Sequence, residues 1–318
     1  MDNRQTASAA VSLGVSAACA ALSVFCGRTG FFSFFFLLPL GFAAFWGGAQ
    51  TAWACGITAV AVNLIISFSL YIYRSGDPVF LQWRALYFSV MVLVFTWINA
   101  PLTRFTAALD IPYRIIAGAL VCAFVMGPAF LSLAGDPRMH ELVAGQLAAL
   151  SGSAPSGDFS VPAPEELLSS VVYAGLRGGI LAVSMIFLWV NRQIAAGIVR
   201  ILRRSPAREN LLAFHVPPVL IWILSLSLGA VLAGRLGEME LLDIAGWNIL
   251  VISATLYFVQ GGGIALYFLL KAPPLVRMFA NVGIIVLFFA PGVNAAALGL
   301  LVLLGIAENW VPFRAPKQ

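Results

Sequence analysis

The sequence predicts an all-α fold, a polytopic bundle of about eight or nine transmembrane helices. Hydrophobic residues make up 61% of the chain and charged residues only 10%, against roughly 25% charged residues in an ordinary soluble domain. Apolar runs long enough to cross a bilayer recur along the whole chain. This composition excludes soluble globular, disordered and collagen-like proteins. We therefore expect a single integral membrane domain over residues 1–318.

Nine segments of the chain are apolar enough to be candidate spans. They cover residues 8–27, 30–47, 51–73, 85–101, 113–134, 168–190, 212–234, 246–270 and 278–305. The second segment contains Pro39 and leads into the third through a tight turn. The ninth contains Ala290-Pro291-Gly292, so a kinked or partly re-entrant helix is the alternative to a single span.

The longest polar stretch divides the predicted domain into three parts. Residues 1–134 hold the N-terminal helices, residues 135–168 form a flexible extracytoplasmic loop with a short amphipathic helix, and residues 169–318 hold the C-terminal helices. Within the loop, Asp136-Pro137 is typical of a helix start. Pro164 and the two glutamates after it predict the start of the sixth span, because acidic residues stabilise the positive end of a helix.

The distribution of arginine predicts the orientation in the membrane. The 191–210 connection contains five arginines and one glutamate, whereas the 135–168 connection contains five acidic residues and one arginine. Because basic residues concentrate on the cytoplasmic side, we expect the N-terminus and the 191–210 loop in the cytoplasm and the 135–168 loop outside, in a bacterial cytoplasmic (inner) membrane. The count places Arg28 and Arg84 outside and leaves the side of the C-terminus open. No nucleic-acid partner is expected.

The sequence lacks the motifs that membrane enzymes and ATP-driven pumps need. It contains no GxxxxGK[ST] loop, no HExxH and no GxSxG. All thirteen acidic residues fall in loops or near helix ends, so we expect no buried carboxylate relay of the kind that proton-coupled carriers use. We expect no enzyme, cofactor or metal site, and a lipid-handling enzyme is the weakest alternative.

Arg177 is the outstanding polar residue of the predicted spans. It lies between Gly175 and Gly178, just inside the outer end of the sixth span. Its guanidinium either snorkels to the interface or holds an anionic ligand, which the flanking glycines would let approach closely. The second interpretation makes Arg177 the anionic anchor of a binding site.

Two further spans carry polar side chains that either bond neighbouring helices or line a cavity. In the third span, Asn63 and Ser67 lie four residues apart and share one face. In the eighth span, Ser253, Tyr257 and Gln260 share a face at helical spacing. The candidate ligand-binding residues are therefore Arg177, Asn63, Asn248, Tyr257 and Gln260.

A face of small residues runs along the first span. Ala10, Gly14 and Ala18 recur every four residues, and small residues at this spacing let helices approach closely. The face predicts either packing inside the protein or docking to another membrane subunit.

Four short motifs are spread over most of the chain. They are Leu37-Leu38-Pro39-Leu40-Gly41-Phe42, Phe214-His215-Val216-Pro217-Pro218, Leu256-Tyr257-Phe258-Val259-Gln260-Gly261 and the ending Gly305-Ile306-Ala307-Glu308-Asn309-Trp310-Val311-Pro312-Phe313-Arg314. Together they resemble the YybS-like family of uncharacterised bacterial membrane proteins. That family is in turn similar to the substrate-binding membrane subunits, or S components, of energy-coupling-factor vitamin transporters.

The resemblance implies a small bundle that captures a micronutrient from outside and depends on an energising partner, an ATPase with a transmembrane coupling module. It also implies that the Ala10, Gly14 and Ala18 face meets the coupling module. We therefore expect an integral membrane substrate-binding or transport subunit. The alternative is a non-transporting membrane scaffold or assembly protein, in which the same polar groups only bond helices together and a loop recruits a partner.

Overall fold

A computed structural model of the chain describes residues 3–29, 31–73, 78–134, 141, 163–203, 212, 214–289 and 293–314. Within these ranges every regular element is helical, which confirms the predicted all-α class. The contacts divide the chain into two compact units, Met1–Ala207 and Arg208–Gln318. The single domain over residues 1–318 stays a prediction.

The helices of the two units follow one another along the chain. In the first unit they are α1 (Asn3–Arg28), α2 (Leu38–Tyr73), α3 (Pro78–Asn99), α4 (Arg104–Ala108), α5 (Ile111–Ala134), α6 (Pro164–Ala174) and α7 (Ile180–Arg203). In the second unit they are α8 (Leu220–Leu236), α9 (Glu240–Lys271), α10 (Pro274–Phe289) and α11 (Val293–Ala307). A 3-10 turn, Phe31–Phe35, precedes α2, and a π-helical turn, Gly175–Gly179, joins α6 to α7.

Several of these helices are apolar and of membrane-crossing length. Four stretches are long and apolar enough to cross a bilayer: Ser33–Ile72, Ile111–Pro128, Glu166–Leu202 and Glu240–Lys271. Four shorter apolar stretches are Gly14–Arg28, Trp83–Asn99, Leu220–Leu236 and Ala295–Ala307. The count of eight or nine spans therefore stays a prediction, while the membrane class is supported.

The chain reverses direction inside α2. Three hydrogen bonds to α1 show this: the Ser23 hydroxyl donates to the Phe36 carbonyl (2.6 Å), the Ser16 hydroxyl to the Thr51 carbonyl (3.4 Å), and the Arg28 guanidinium to the Asn63 carbonyl (3.1 Å). From Phe36 to Thr51 the contact moves toward the start of α1, and from Thr51 to Asn63 it moves back toward its end. Residues 38–47 therefore run antiparallel to α1, and residues 49–73 run parallel to it.

Glycine makes this reversal possible. Gly48 has φ 81° and ψ −169°, a backbone conformation that side chains with a Cβ atom rarely adopt. The turn is tight, because the Thr51 hydroxyl donates to the Gly47 carbonyl at 2.9 Å. The second and third predicted spans are thus two segments of one helical stretch, joined by the tight turn that the sequence predicts.

Small residues also set the spacing between α2, α3 and α5. A methyl group on Gly56 of α2 would lie 2.5 Å from the hydroxyl oxygen of Thr96 in α3. One on Gly118 of α5 would lie 2.6 Å from the side chain of Val94, also in α3. Interatomic distances this short leave no room for a Cβ atom, so α3 packs tightly between α2 and α5.

The sixth predicted span continues further than the sequence indicates. α7 runs to Arg203, so the prediction that a cytoplasmic loop begins at residue 191 is wrong for residues 191–203. Asn191 and Arg192 are 0% and 4% exposed. The Asn191 amide donates to the Phe34 carbonyl at 2.9 Å, and the Arg192 guanidinium lies 5.2 Å from the Phe45 ring centroid. These tertiary contacts bury two polar residues that hydropathy assigns to a connection.

The acidic connection before α6 is described only at its end. Most of the predicted 135–168 loop, including its short amphipathic helix, lies outside the described residues. α6 begins at Pro164, as the proline and the glutamates after it predict. The side of the membrane on which this connection lies stays a prediction.

Two carboxylates are buried in the second unit, so the expectation that the chain lacks buried carboxylates is wrong. Asp243 and Glu308 are 2% and 9% exposed. Asp243 lies in the first turn of α9, 3.6 Å from the Nε atom of Arg235. Arg314 holds Glu308 through two hydrogen bonds of 2.7 and 2.5 Å. Both acids lie near helix ends, as predicted, but each is packed beside an arginine.

The ninth predicted span is described as helix on both sides of residues 290–292. α10 ends at Phe289 and α11 begins at Val293. They flank Ala290-Pro291-Gly292, where the sequence already offers a break as the alternative to one span. Residues 290–292 lie outside the described residues, so a single span and a break there both stay predictions.

α9 and α11 cross with their backbones in contact. A methyl group on Gly261 would overlap the carbonyl oxygen of Leu301, and one on Gly305 would overlap that of Tyr257. Pairs of small residues at one crossing are typical of closely packed membrane helices. This crossing therefore depends on the absence of a side chain at both glycines.

We predict that Gly261→Ala destabilises the protein, whereas Gly262→Ala does not. The methyl group at position 261 would force α9 and α11 apart, which costs about 1–3 kcal/mol for overpacking of this kind. A methyl group placed on Gly262 would have no heavy atom within 4 Å, so this position serves as a matched control in the same helix. Thermal unfolding of both variants in detergent measures the difference. Equal melting temperatures for the two variants would contradict the close crossing.

Candidate binding cavity

The first unit contains a cavity of about 410 Å³. Its lining residues come from the end of α1, the segment just before α2, and α3, α5 and α7. They are Gly27, Ser33, Phe36, Trp83, Arg84, Tyr87, Phe88, Met126 and Phe187. A volume of this size lies in the range of small-molecule sites, roughly 300–1,000 Å³.

Aromatic rings form most of the cavity wall. Trp83, Arg84, Tyr87 and Phe88 lie at positions i, i+1, i+4 and i+5 of α3, so one helical face presents all four. The ring centroids of Phe36 and Phe88 are 5.0 Å apart, an ordinary distance for packed aromatic pairs. This wall offers flat apolar surfaces to a ligand.

Gly27 brings α1 against this wall. A methyl group on Gly27 would lie 2.6 Å from the Phe88 ring. The Gly27 carbonyl accepts a 2.9 Å hydrogen bond from Nη2 of Arg84. The end of α1 and the start of α3 are therefore joined both by packing and by a charge-assisted hydrogen bond.

Two polar groups of the wall are hydrogen-bond donors. The indole nitrogen Nε1 of Trp83 is buried and has no hydrogen-bond partner among the described residues. Arg84 is exposed, and one of its guanidinium nitrogens bonds Gly27. A buried N–H group without a partner is costly in an apolar environment, whereas the exposed guanidinium of Arg84 can donate to a ligand in the cavity.

Arg28 follows Gly27 in the chain and donates hydrogen bonds to polar groups beside the cavity. Its Nη2 atom lies 3.1 Å from the carbonyl oxygen of Asn63, 3.1 Å from its Oδ1 atom and 2.7 Å from the Ser67 hydroxyl. Asn63 is buried, and its amide also reaches the Ala85 carbonyl at 3.5 Å. Asn63 and Ser67 thus share a face, as predicted, and both accept from an arginine that the sequence pattern identifies only as an outer charge.

Two like charges lie at this end of α1, because Arg28 follows Gly27 and Arg84 bonds the Gly27 carbonyl. The ion pairs found within the described ranges join Arg235 to Asp243 and Arg314 to Glu308. Neither Arg28 nor Arg84 belongs to these pairs. The cavity therefore adjoins two cations without a carboxylate partner in the described part of the chain.

Sequence reasoning missed Trp83, Arg84 and Arg28 as site residues. The available signal was Trp83-Arg84 at the start of a span, with Tyr87 and Phe88 one helical turn later. An aromatic and basic face at a helix start also suits the membrane interface, so the pattern alone does not indicate a cavity.

Arg177 lies in a distorted turn of the first unit and is not among the residues that line this cavity. Its backbone has φ −76° and ψ 32°, and Gly178 has φ 97°. The guanidinium lies 5.3 Å from the ring centroid of Tyr173, a cation–π contact. Such π-helical turns are frequent at functional sites, and the ligand role of Arg177 stays a prediction.

The other predicted ligand residues belong to the second unit. Gln260 is buried, accepts from the Val216 amide at 2.6 Å and donates to the Gly305 carbonyl at 3.1 Å. The Tyr257 hydroxyl accepts from Asn309 at 3.4 Å. The Asn248 amide donates within its own helix, to Ile244 at 2.8 Å. The contacts of Gln260 and Tyr257 bond α9 to its neighbours, which agrees with the helix-bonding interpretation. The ligand role of all three residues stays a prediction.

The small-residue face of α1 is exposed where its side chains are described. Gly14 and Ala18 are exposed, and no heavy atom lies within 4 Å of a methyl group placed on Gly14. Ala10 lies in α1, but its side chain falls outside the described part of the chain. Gly14 and Ala18 therefore take no part in close packing within the first unit.

We predict that Asn63→Leu destabilises the protein and that Asn63→Asp does not. Leucine removes the Oδ1 acceptor from Arg28, and a hydrogen bond to a charged group contributes about 1.5–3 kcal/mol. Aspartate keeps the acceptor and adds an opposite charge. Unfolding in mixed micelles with increasing dodecyl sulfate measures both variants. Equal loss of stability in the two variants would show that the Arg28 bond has no part in the effect.

One comparison with known proteins identifies a related family. The family described as "Predicted membrane protein (DUF2232)" matches residues 176–306, which is less than half of the chain. No curated protein and no solved structure matches the chain. The chain is therefore similar, over α7 to α11, to a family of membrane proteins, which agrees with its apolar helices.

Proposed function

We propose that the chain is an integral membrane substrate-binding subunit, resembling an S component, that captures a small micronutrient for a transporter energised by a partner. The observation that carries the proposal is the 410 Å³ aromatic cavity of the first unit. Its size, its flat apolar walls and its few polar groups are typical of small-molecule sites. A ligand with a planar apolar part suits this wall best.

The position of the cavity supports capture from outside. It lies at the C-terminal end of α1, beside Arg28 and Arg84. The arginine count of the sequence assigns this end to the outer side of a bacterial cytoplasmic membrane. A ligand arriving from outside would therefore meet the cavity at the membrane surface.

The proposal includes an energising partner because the sequence lacks an ATP-binding motif of its own. The chain has no phosphate-binding loop for ATP, and the YybS-like resemblance implies an ATPase with a transmembrane coupling module. The exposed face of Gly14 and Ala18 on α1 suits docking to such a module, since small residues let another helix approach closely.

A membrane scaffold is the second candidate, and the second unit favours it. There the polar groups of α9 bond neighbouring segments, as Gln260 does with Val216 and Gly305. On this interpretation the protein would hold a partner and no ligand. The two candidates differ in what purifies with the protein.

Filling the cavity is expected to abolish ligand capture. Met126→Trp places a bulky indole ring in the cavity. Phe124→Trp changes the same helix at a side chain that is 85% exposed. Native mass spectrometry of the wild type should show a bound small molecule that Met126→Trp loses and Phe124→Trp keeps. A protein partner without any small ligand would contradict substrate binding and favour the scaffold.

Enlarging the small face of α1 is expected to weaken partner binding only. In Gly14→Leu/Ala18→Leu the new side chains would hold a docking helix away. Ala54→Leu, at another exposed alanine of the first unit, is the control. Co-purification of the coupling module should fall several-fold for the double variant while the bound small molecule is retained. Undiminished co-purification would exclude this face as the docking site.

A further inference from the structure

We infer that the ligand of the cavity carries an anionic group, bound by Arg84, with Arg28 adding positive potential behind it. The inference rests on the proposed binding function and names the chemical class of its substrate: a small acid with an aromatic or other apolar body.

The first step concerns hydrogen-bond donors. The guanidinium of Arg84 can only donate, and one of its nitrogens bonds the Gly27 carbonyl at 2.9 Å. The Arg84 side chain is exposed and lines the cavity, so its other N–H groups can reach a ligand. A donor of this kind favours a ligand with an acceptor.

The second step concerns charge. Arg28 follows Gly27, whose carbonyl accepts from Arg84, so two like charges lie on one side of the cavity. The carboxylates that form ion pairs in the described ranges belong to the second unit. The acceptors that surround Arg28 are neutral: a carbonyl, an amide and a hydroxyl. An anion at this position would therefore offset the repulsion between the two guanidinium groups.

The third step concerns shape. The planar guanidinium of Arg84 matches a carboxylate or phosphate, which accept two parallel hydrogen bonds. Phe36, Tyr87 and Phe88 lie next to it in the same wall. An acid group at Arg84 therefore leaves the body of the ligand against aromatic rings. The same chemistry occurs in a free aromatic acid and in an anionic lipid, so the experiment must distinguish them.

A matched pair of probes, naphthoate and its neutral amide naphthamide, tests the inference. Calorimetric titration in nanodiscs of zwitterionic lipid should show that the wild type binds naphthoate about ten-fold more tightly than naphthamide, the effect of one charge-assisted hydrogen bond. Arg84→Gln should bring the ratio of the two affinities close to one. Arg104→Gln, at an exposed arginine of α4, should keep the preference for naphthoate.

The outcomes separate this inference from the proposed function. Equal affinity of the wild type for acid and amide, or an unchanged preference in Arg84→Gln, would overturn the anion site while leaving a binding cavity. Failure of both probes to bind would contradict the binding function and the inference with it. Competition by phosphatidylglycerol added to the nanodiscs would identify the anion as a lipid headgroup, and its absence would identify a free acid. Both of these results support an anion site.

Discussion

The hydrogen bonds of Arg28 to Asn63 and Ser67 fix the arrangement on which the first unit depends. A guanidinium at the end of an apolar helix needs acceptors, since a charge left without partners there is costly. The return segment of α2 supplies them, and it can do so only because the chain reverses at Gly48. The need of the Arg28 guanidinium for hydrogen-bond acceptors thus determines that the return segment of α2 lies beside α1.

The same arrangement shapes the cavity. Asn63 also reaches the backbone of α3 at Ala85, and Arg84 of α3 bonds back to Gly27 of α1. The face of α3 that carries Trp83 and Phe88 is thereby held against the end of α1. As a consequence, the guanidinium groups of Arg28 and Arg84 lie near each other beside the cavity. Their mutual repulsion is the cost of this arrangement, and an anionic ligand would offset it.

Much of the helical architecture could be predicted from hydropathy, because long apolar segments must form helices in lipid. The tight turn before the third span and the start of α6 at Pro164 were also predictable, since glycine and proline act locally. The burial of Asn191 and Arg192 could not be predicted. Their contacts with Phe34 and Phe45 join residues more than a hundred positions apart, and hydropathy carries no such information.

The candidate site was less predictable than the fold. A polar residue in a span is compatible with packing and with binding, and only tertiary structure distinguishes them. Gln260 was a sound candidate by residue type, yet both ends of its amide bond the protein. Trp83 and Arg84 looked like ordinary interfacial residues. They differ from ordinary interfacial residues because α1 and α2 pack around them. That packing depends on contacts between residues that are distant in sequence.

Fluorine NMR of protein labelled with fluorotryptophan tests the central claim most directly. The resonances of Trp83 and Trp222 can be assigned from Trp83→Phe and Trp222→Phe, and Trp222 is 70% exposed and belongs to the second unit. We predict that naphthoate shifts the Trp83 resonance in a saturable manner and leaves that of Trp222 in place. An unmoved Trp83 resonance, or equal shifts at both tryptophans, would contradict a specific site in the cavity.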